Sequence, residues 1–210
     1  MKKAKKTAGP LVPGRLVIGL TGGIAAGKSL ALDCFRREGA LVVSTDALAA
    51  EVLTVPACYN RIVRKFGRTI LTNGTLDKKR LAAEVFGSPA KRKWLEHLLH
   101  PEILKRARSL IEHSRKKIAV VEVPLLFEAG LAERFTLTVC VAAPAKARLA
   151  RALRRGWTKD QFKAREAAQL GAEKKAGLAD VTLDNGGTPA GLRKRVKWIC
   201  RSLKAAGEKK

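Results

Sequence analysis

A glycine-rich segment near the start of the chain combines the residue types that bind phosphate groups. Residues 22–29 read GGIAAGKS and fit the pattern G-x-x-x-x-G-K-[ST], between an apolar run and a helical pattern. Glycines let successive backbone N–H groups turn towards phosphate oxygens, and the positive end of the following helix adds to that attraction. The Lys28 ammonium should reach the β- and γ-phosphates of a nucleotide, and the Ser29 hydroxyl should ligate Mg²⁺. The segment predicts a nucleotide site, with a glycine turn and a solvent-facing lysine as the structural alternative.

The residues expected to bind the nucleotide are Gly22, Gly23, Ile24, Ala25, Ala26, Gly27, Lys28, Ser29 and Leu30. A phosphate loop identifies the ligand class but not the reaction. The chain has no obvious G-N/T-K-x-D signature for guanine, and at 210 residues it has no long insertions. These features favour a small metabolite kinase over a GTPase or a motor protein.

Strand and helix patterns alternate around this loop. Apolar, β-branched runs predict strands at residues 15–20, 40–44, 118–123, 136–141 and 181–184. Helical spacing and capping residues predict helices at 28–38, 47–53, 60–66, 78–86, 89–99, 101–114, 144–155 and 189–203. Strands that alternate with helices are typical of a parallel sheet covered by helices, so we expect a three-layer α/β fold.

The distribution of these patterns predicts one domain at 15–210. Its core is expected at 15–55 and 116–205, with a helical insertion at 56–115, where strand patterns stop. Residues 1–14 carry four lysines and two prolines and few apolar side chains, which predicts a flexible basic tail.

Composition excludes several classes of protein. The 43 Lys and Arg residues exceed the 18 Asp and Glu residues, which gives a net charge of +25. This excess predicts attraction to polyanions, although a solvated basic surface explains it equally well. The four cysteines lack the spacing of a zinc site or a redox pair, so we expect reduced thiols. No stretch approaches the roughly 18 apolar residues of a membrane span, and no secretory signal is recognisable, which predicts a cytoplasmic protein.

Several further motifs, in one order over about residues 16–200, resemble the dephospho-CoA kinase family. Residues 21–29 are similar to that family's T-G-G-I-G-S-G-K-S, and residues 123–128 match V-P-L-L-F-E. Residues 99–101 resemble L-H-P, and residues 179–187 resemble A-D-x-V-I-D-N-x-G. The resemblance implies a P-loop kinase fold with a helical CoA-binding insertion and a lid at about 148–175. It also implies transfer of the ATP γ-phosphoryl group, with Mg²⁺, to the ribose 3′-hydroxyl of dephospho-CoA in the last step of coenzyme A synthesis.

The resemblance assigns roles to individual residues. Asp46 is the candidate base or orienting carboxylate for the acceptor hydroxyl, and it is also a candidate helix N-cap. Arg151 and Arg155, four residues apart on one predicted helix, are expected in the lid, with a solvated basic face as the alternative. Glu122, at the end of a strand, is a candidate Mg²⁺ ligand beside Ser29.

Asn185 is expected near the adenine, or in an ordinary turn. The expected substrate-binding residues are His100, Pro124, Leu125, Phe127, Glu128 and Arg165. For Glu128 the alternative is a cap on the turn that follows it.

Five positions depart from the family's pattern. Ala25 and Ala26 replace a glycine and a serine, Leu30 replaces a hydroxyl residue, Ser44 replaces the first aspartate of D-A-D, and Ala50 stands where arginine is common. If position 25 has a positive φ, alanine there costs about 1 kcal/mol.

Two other functions remain open at this point. One is a nucleoside or nucleotide kinase with a different acceptor, and the other is a basic P-loop protein that binds nucleic acid. For the favoured reading we expect a monomer with small-molecule substrates and no membrane partner. Its basic surface is expected to bind polyanions or RNA non-specifically.

Overall fold

The structure, a computed structural model, describes residues 9–207. These residues form two compact units. The first unit comprises residues 9–43 and 111–207, and the second unit is Ser44–Leu110. The second unit begins before the predicted insertion at 56–115. The lysines of the predicted tail lie outside the described residues.

The helices and strands alternate along the chain. In order they are β1 (Leu16–Gly22), α1 (Lys28–Arg37), β2 (Leu41–Ser44), α2 (Thr45–Val52), α3 (Pro56–Phe66), β3 (Leu71–Thr72), β4 (Thr75–Leu76), α4 (Lys78–Phe86), α5 (Pro89–Glu112), β5 (Ile118–Glu122), β6 (Leu137–Ala142), α6 (Ala145–Leu153), α7 (Lys159–Ala167), α8 (Ala172–Leu178), β7 (Val181–Asp184) and α9 (Pro189–Gly207).

The first unit is built on a five-stranded sheet in the order β2-β5-β1-β6-β7. Strand β1 is central and pairs in parallel with β5 and β6, and β6 pairs in parallel with β7. Because β1, β5 and β6 are apolar on both faces, each is buried over nearly its whole length. The predicted α/β class with a parallel sheet is confirmed, and the carboxyl ends of these strands meet at one edge of the sheet.

The segment before β1 is packed rather than free. Leu11 is 1% exposed and Val12 is 5% exposed, and the Leu11 N–H donates to the Arg134 carbonyl at 2.8 Å. The Arg15 guanidinium donates to the carbonyl of Ile111 at 2.9 Å. The prediction of a flexible tail is therefore wrong for this part of 1–14. The two apolar side chains lie between prolines, so neither periodicity nor length marked them as core.

The second unit contains α2 to α4, most of α5 and a hairpin that the sequence patterns did not predict. Strands β3 and β4 pair antiparallel around Asn73 and Gly74, whose φ angles of 49° and 76° are both positive. Asn-Gly is the typical sequence of such a two-residue turn, so the signal was present in the sequence. The strands are only two residues long, which is too short for an alternating pattern.

Helix α5 is continuous where two helices were expected. It runs through Pro101, although proline lacks the N–H that would bond one turn back. Side chains on both sides of the proline, among them Leu98 and Ile103, are buried. The predicted break at residue 100 is therefore wrong.

The four cysteines, Cys34, Cys58, Cys140 and Cys200, are free and buried. Burial raises the pKa of each thiol, that of Cys200 to about 11, so all four remain protonated near neutral pH. Within residues 9–207, no helix is long and apolar enough to cross a membrane.

Candidate nucleotide-binding site

The loop between β1 and α1 requires glycine at two positions. Gly27 has a φ of 102°, and a Cβ there would lie 2.0 Å from Nδ2 of Asn185. Gly22 has a φ of 153°, and its Cβ would lie 2.5 Å from the carbonyl oxygen of Val141. Both the backbone angle and the close neighbour exclude a side chain. The two glycines of the phosphate-binding pattern are therefore fixed by the local geometry.

Ala25, which replaces a glycine of the family's pattern, has a positive φ. Its φ is 55°, a left-handed conformation that costs an alanine about 1 kcal/mol. The Ala25 methyl is 8% exposed and belongs to a small cluster with Ala152 and Phe162. Burying one methyl group contributes about 0.8 kcal/mol, which offsets most of that strain. The packing explains why alanine is tolerated in place of glycine.

Lys28 begins α1 and lies against the loop. Its Nζ donates to the carbonyls of Gly22 at 3.1 Å and Gly23 at 3.4 Å. Ser29, in the first turn of the same helix, is exposed, whereas the Leu30 side chain packs against the hydrophobic core. The loop thus presents one ammonium and one accessible hydroxyl beside a helix N-terminus.

Arg151 and Asn185 form hydrogen bonds to the backbone of the loop. Both donate to the carbonyl of Ala26, Arg151 through Nη1 at 3.0 Å and Asn185 through Nδ2 at 2.8 Å. Nη2 of Arg151 also donates to the Asn185 carbonyl at 2.7 Å. Because these donors engage a loop carbonyl, they help keep the turn in its phosphate-binding shape. The contact places Arg151 and Asn185 at the loop, a role that the sequence did not reveal.

Arg148 is a second support that the sequence analysis missed. It is 6% exposed; Nε donates to the Ala143 carbonyl at 3.2 Å, and Nη1 pairs with Glu166 of α7. Nη1 also lies 3.5 Å from the carbonyl oxygen of Ile24 in the loop. In the sequence Arg148 stands four residues before buried Ala152, on the buried face of α6, and that spacing was the available signal.

Arg155 does not share a helix face with Arg151. Helix α6 ends at Leu153, and Gly156 has a φ of 80° that turns the chain away. Arg155 is exposed in this turn. The expectation of one four-residue helical step between the two arginines is therefore wrong, because glycine closes the helix earlier than the apolar pattern indicated.

The segment after β5 is fastened to α8 by a buried lysine. Lys175 is fully buried, and its Nζ donates to Pro124 O at 2.6 Å, Glu128 Oε1 at 2.9 Å and Gln169 Oε1 at 3.2 Å. The hydroxyl of Thr21, next to the loop, donates to the same Pro124 carbonyl at 3.2 Å. Nothing in the sequence distinguishes Lys175 from its neighbour Lys174, so its role could not be predicted.

Glu128 accepts two hydrogen bonds from the protein itself. One comes from Lys175 and the other from the Leu170 N–H at 2.9 Å. Between Pro124 and Glu128, Leu125 and Phe127 are partly buried. These contacts show how the V-P-L-L-F-E segment is held.

The remaining candidates of the first unit are Glu122 and Arg165. Glu122, at the end of β5, is the register partner of Leu20, two residues before the loop. The Arg165 guanidinium lies 4.5 Å from the ring centroid of Trp157 and is exposed to solvent. Among residues 9–207, no three His, Cys, Asp or Glu side chains are grouped so as to hold a metal ion.

Asp46 and His100 belong to the second unit. Asp46 is exposed in the first turn of α2, which begins at Thr45 with Ser44 as its N-cap, so the prediction of an Asp46 cap is wrong. Burial lowers the pKa of His100, and the neighbouring Glu96 carboxylate opposes that shift. His100 is therefore a neutral imidazole near pH 7, suited to hydrogen bonding rather than to charge pairing.

Comparison with known proteins identifies the family. A family model described as dephospho-CoA kinase matches residues 16–190. The dephospho-CoA kinase of Carboxydothermus hydrogenoformans is 36% identical over 195 residues, covering 90% of this chain and 94% of that protein. That of Deinococcus radiodurans is 36% identical over 207 residues, covering 97% of this chain and 99% of that protein.

Some relatives are longer than this chain. The dephospho-CoA kinase of Mycolicibacterium paratuberculosis is 39% identical over 189 residues, which cover 88% of this chain but 46% of that protein. The chain thus spans about half the length of the mycobacterial relatives it matches.

Solved structures share the fold of this chain. The structure of TT1252 from Thermus thermophilus has a TM-score of 0.81 and 33% identity, and covers 90% of this chain and 98% of that one. The dephospho-CoA kinase from Campylobacter jejuni, with a TM-score of 0.59 and 23% identity, shares the fold over 90% of this chain and 98% of its own. The resemblance inferred from the motifs is confirmed, and the chain belongs to the dephospho-CoA kinase family.

Proposed function

We propose that this chain transfers the γ-phosphoryl group of ATP to the ribose 3′-hydroxyl of dephospho-CoA, giving coenzyme A and ADP. The observation that carries the proposal is the loop at 22–29, whose required glycines and braced carbonyls form a phosphate cradle in a member of this family. Phosphoryl transfer demands little covalent work from a protein, so positioning and charge stabilisation dominate.

The first unit supplies the groups that bind the transferring phosphate. Backbone N–H groups of the loop and the N-terminus of α1 bind phosphate oxygens, and the Lys28 ammonium stabilises the charge that develops on them. Arg151 and Asn185 keep the loop in place, so that little reorganisation is needed at the moment of transfer. Arg155 and Arg165 are exposed and available to neutralise phosphate charge as a lid.

The acceptor hydroxyl is activated by Asp46 in this proposal. An Asp46 carboxylate oxygen accepts the proton of the 3′-hydroxyl, which orients the acceptor oxygen towards the γ-phosphorus. Ser44 stands where the family commonly has a second aspartate, so Asp46 is the single carboxylate of that pair. The residues assigned to binding the rest of the acceptor are His100, Pro124, Leu125, Phe127, Glu128 and Arg165.

The donor groups near the loop fit Mg²⁺. The exposed Ser29 hydroxyl and the Glu122 carboxylate are hard oxygen ligands, and Mg²⁺ uses few protein ligands when it binds with a nucleotide. When bound, the ion neutralises charge on the β- and γ-phosphates. Ser29 and Glu122 would hold it.

The test measures ADP release with dephospho-CoA, adenosine and AMP in parallel, and identifies the product by mass and by its 3′-phosphate. We expect kcat/KM for dephospho-CoA to exceed that for either alternative by at least about 100-fold, which corresponds to about 2.7 kcal/mol. The Lys28→Ala variant serves as the background control. Comparable use of adenosine or AMP would overturn the assignment of the acceptor.

Location and assembly complete the proposal. We assign the enzyme to the cytoplasm, where its four buried thiols remain reduced, and we expect a monomer. Light scattering across a concentration series measures the mass in solution, and a dimer at working concentration would correct the assembly.

A further inference from the structure

Helix α9 carries a concentration of positive charge that the proposed reaction does not use. Over Pro189–Gly207 it has six Lys and Arg residues and no Asp or Glu. These are Arg193, Lys194, Arg195, Lys197, Arg201 and Lys204. Its apolar side chains, including Leu192, Val196 and Ile199, are buried in the core of the first unit. The opposite face of the helix is therefore a basic, solvent-exposed surface.

An exposed tryptophan lies in the middle of this surface. Trp198 is 66% exposed, more than the other large exposed apolar residues, Leu110, Leu153 and Leu178. Lys194 precedes it by four residues and Arg201 follows it by three, so both cations share its face of the helix. We call Lys194, Trp198 and Arg201 the α9 face.

Positive charge continues from α9 onto the end of α1. The Lys204 ammonium lies 3.4 Å from the carbonyl oxygen of Glu38, just after α1. Helix α1 carries Arg36 and Arg37 in its last turn, and Arg36 pairs with Asp33. The basic surface therefore extends beyond a single helix.

We propose that the α9 face binds single-stranded nucleic acid, with one base stacked on Trp198 and neighbouring phosphates bound by Lys194 and Arg201. Proteins that bind single strands combine a basic track with aromatic rings that accept a base on their face. The positive charge is complementary to the phosphate backbone, and an indole between two cations on one helix face provides the stacking surface.

The same features do not suit a lipid surface. A helix that lies in a membrane interface inserts a broad apolar face, and the apolar face of α9 is already used in the core. Only Trp198 would remain to insert. Single-stranded nucleic acid needs only one aromatic ring for each stacked base, so it fits this surface better than a lipid surface does.

The first test compares two polyanions, a fluorescein-labelled oligouridylate of 12 nucleotides and heparin, which has charge but no bases. Trp198→Ala should weaken oligouridylate binding by about 5- to 100-fold, while heparin binding changes little. Trp198→Phe keeps an aromatic face and should restore most of the affinity. Equal losses for both polyanions, or no loss for either, would overturn the stacking role.

The second test changes the charge. Lys194→Gln/Arg201→Gln should reduce the slope of log affinity against log salt by about 1.4, since each single-strand phosphate contact contributes about 0.7. The control Arg115→Gln/Lys116→Gln removes two exposed cations from the loop before β5 and should leave the slope unchanged. If both double variants reduced this slope equally, binding would depend on the total charge of the protein and not on the α9 face.

Two further measurements separate this proposal from its neighbours. Vesicles of anionic phospholipid are titrated with the same variants, and tighter Trp198-dependent binding to vesicles than to oligouridylate would overturn the proposal. Phosphoryl transfer by Trp198→Ala should equal that of the parent, since no α9 face residue belongs to the proposed site. The binding result then stands or falls independently of the kinase assignment.

Discussion

Two buried cations of the first unit differ in their surroundings from two surface ion pairs of the second unit. In the first unit, Arg148 and Lys175 are almost completely buried, and each binds main-chain carbonyls as well as a carboxylate. In the second unit, the ion pairs Lys91–Glu84 and Arg106–Glu51 lie at the surface, with every side chain more than a third exposed.

The difference shows what burial does to the role of a charged side chain. A buried ion is costly to leave unpaired, so Arg148 and Lys175 fix the positions of the chain segments that they join. Exposed pairs are screened by water and contribute little to stability. Arg148 and Lys175 therefore organise the site in the first unit, whereas the Lys91–Glu84 and Arg106–Glu51 pairs contribute little to the stability of the second unit.

The largest expected effect is on the phosphate-binding loop of the first unit. Lys28→Ala should lower kcat by about 10³-fold or more at saturating ATP, because a positioned cation facing developing charge is lost. The melting temperature should stay close to that of the parent. Lys91→Ala, which removes an exposed lysine of the second unit, is the matched control. Near-parental turnover in Lys28→Ala would remove the loop from the mechanism.

Asp46→Asn tests whether the second unit contributes chemistry as well as binding. The amide keeps the shape but cannot accept a proton, so kcat should fall by about 10²-fold or more. The unfolding free energy should change by about 1 kcal/mol or less, since Ser44 and not Asp46 occupies the N-cap position and Asp46 is an acidic residue in the first turn of α2. Glu51→Gln, an exposed carboxylate on the same helix, is the control. A stable Asp46→Asn enzyme with near-parental kcat would direct attention to Glu122.

Breaking one buried pair and one exposed pair measures the contrast directly. Lys175→Met should lower the unfolding free energy by about 3 kcal/mol, because Glu128 and the Pro124 carbonyl lose a buried partner. Glu84→Gln should cost about 0.5 kcal/mol or less. Chemical denaturation of both variants gives the two values. Similar losses of unfolding free energy in the two variants would contradict the expected difference between a buried pair and an exposed pair.

Leu11→Ala tests whether the segment before β1 belongs to the first unit. Leu11 is 1% exposed, and truncating a buried leucine costs about 2–5 kcal/mol. Thermal unfolding is the measurement. The control Gly9→Ala, at an exposed position where an added Cβ meets no atom within 4 Å, should leave the melting temperature unchanged. If Leu11→Ala left the melting temperature unaltered, the prediction of a flexible tail would hold for this part of the chain.

The smallest effect is expected at Ala25. Ala25→Gly relieves the strain of a φ of 55° but removes a methyl from the cluster with Ala152 and Phe162, and these terms nearly cancel. We expect the unfolding free energy to change by less than about 1 kcal/mol. A much larger gain would show that strain at this position is not offset by packing.

Local sequence predicted those parts of the fold whose signal is local. The β-branched runs at β1, β5 and β6 located the buried strands to within two residues, because a strand buried on both faces must be apolar throughout. The helix at Lys78–Phe86 was predicted with the bounds that the structure shows. Errors occurred where glycine, proline or a two-residue strand decided the outcome, as at Pro101 and the Asn73-Gly74 turn. The short helices α7 and α8 were also missed, because their sequence is highly charged and has no clear apolar periodicity.

The site was predictable for residues that belong to a pattern and not for residues that act across the sequence. The loop glycines, Lys28 and Ser29 lie within eight consecutive positions, so their spacing revealed them. Arg148 contacts the carbonyl of Ile24 in the loop, 124 positions away. Lys175 binds the carbonyl of Pro124, 51 positions away. A basic side chain carries no local mark of such a partner, and the few buried Lys and Arg residues are not distinguishable by sequence among a total of 43.

The central place of β1 has a consequence for synthesis of the chain. Leu16 of β1 pairs with Ile118 of β5, and Gly22 pairs with Val141 of β6, so β1 leaves the ribosome before either of these neighbours and must wait for both. At translation rates of about 5–20 residues per second, that delay is about 5–20 s. The apolar strand that leads into the phosphate loop stays unpaired throughout this interval. Chaperones that shield nascent apolar segments should therefore associate with this chain early, before a nucleotide has any site to bind.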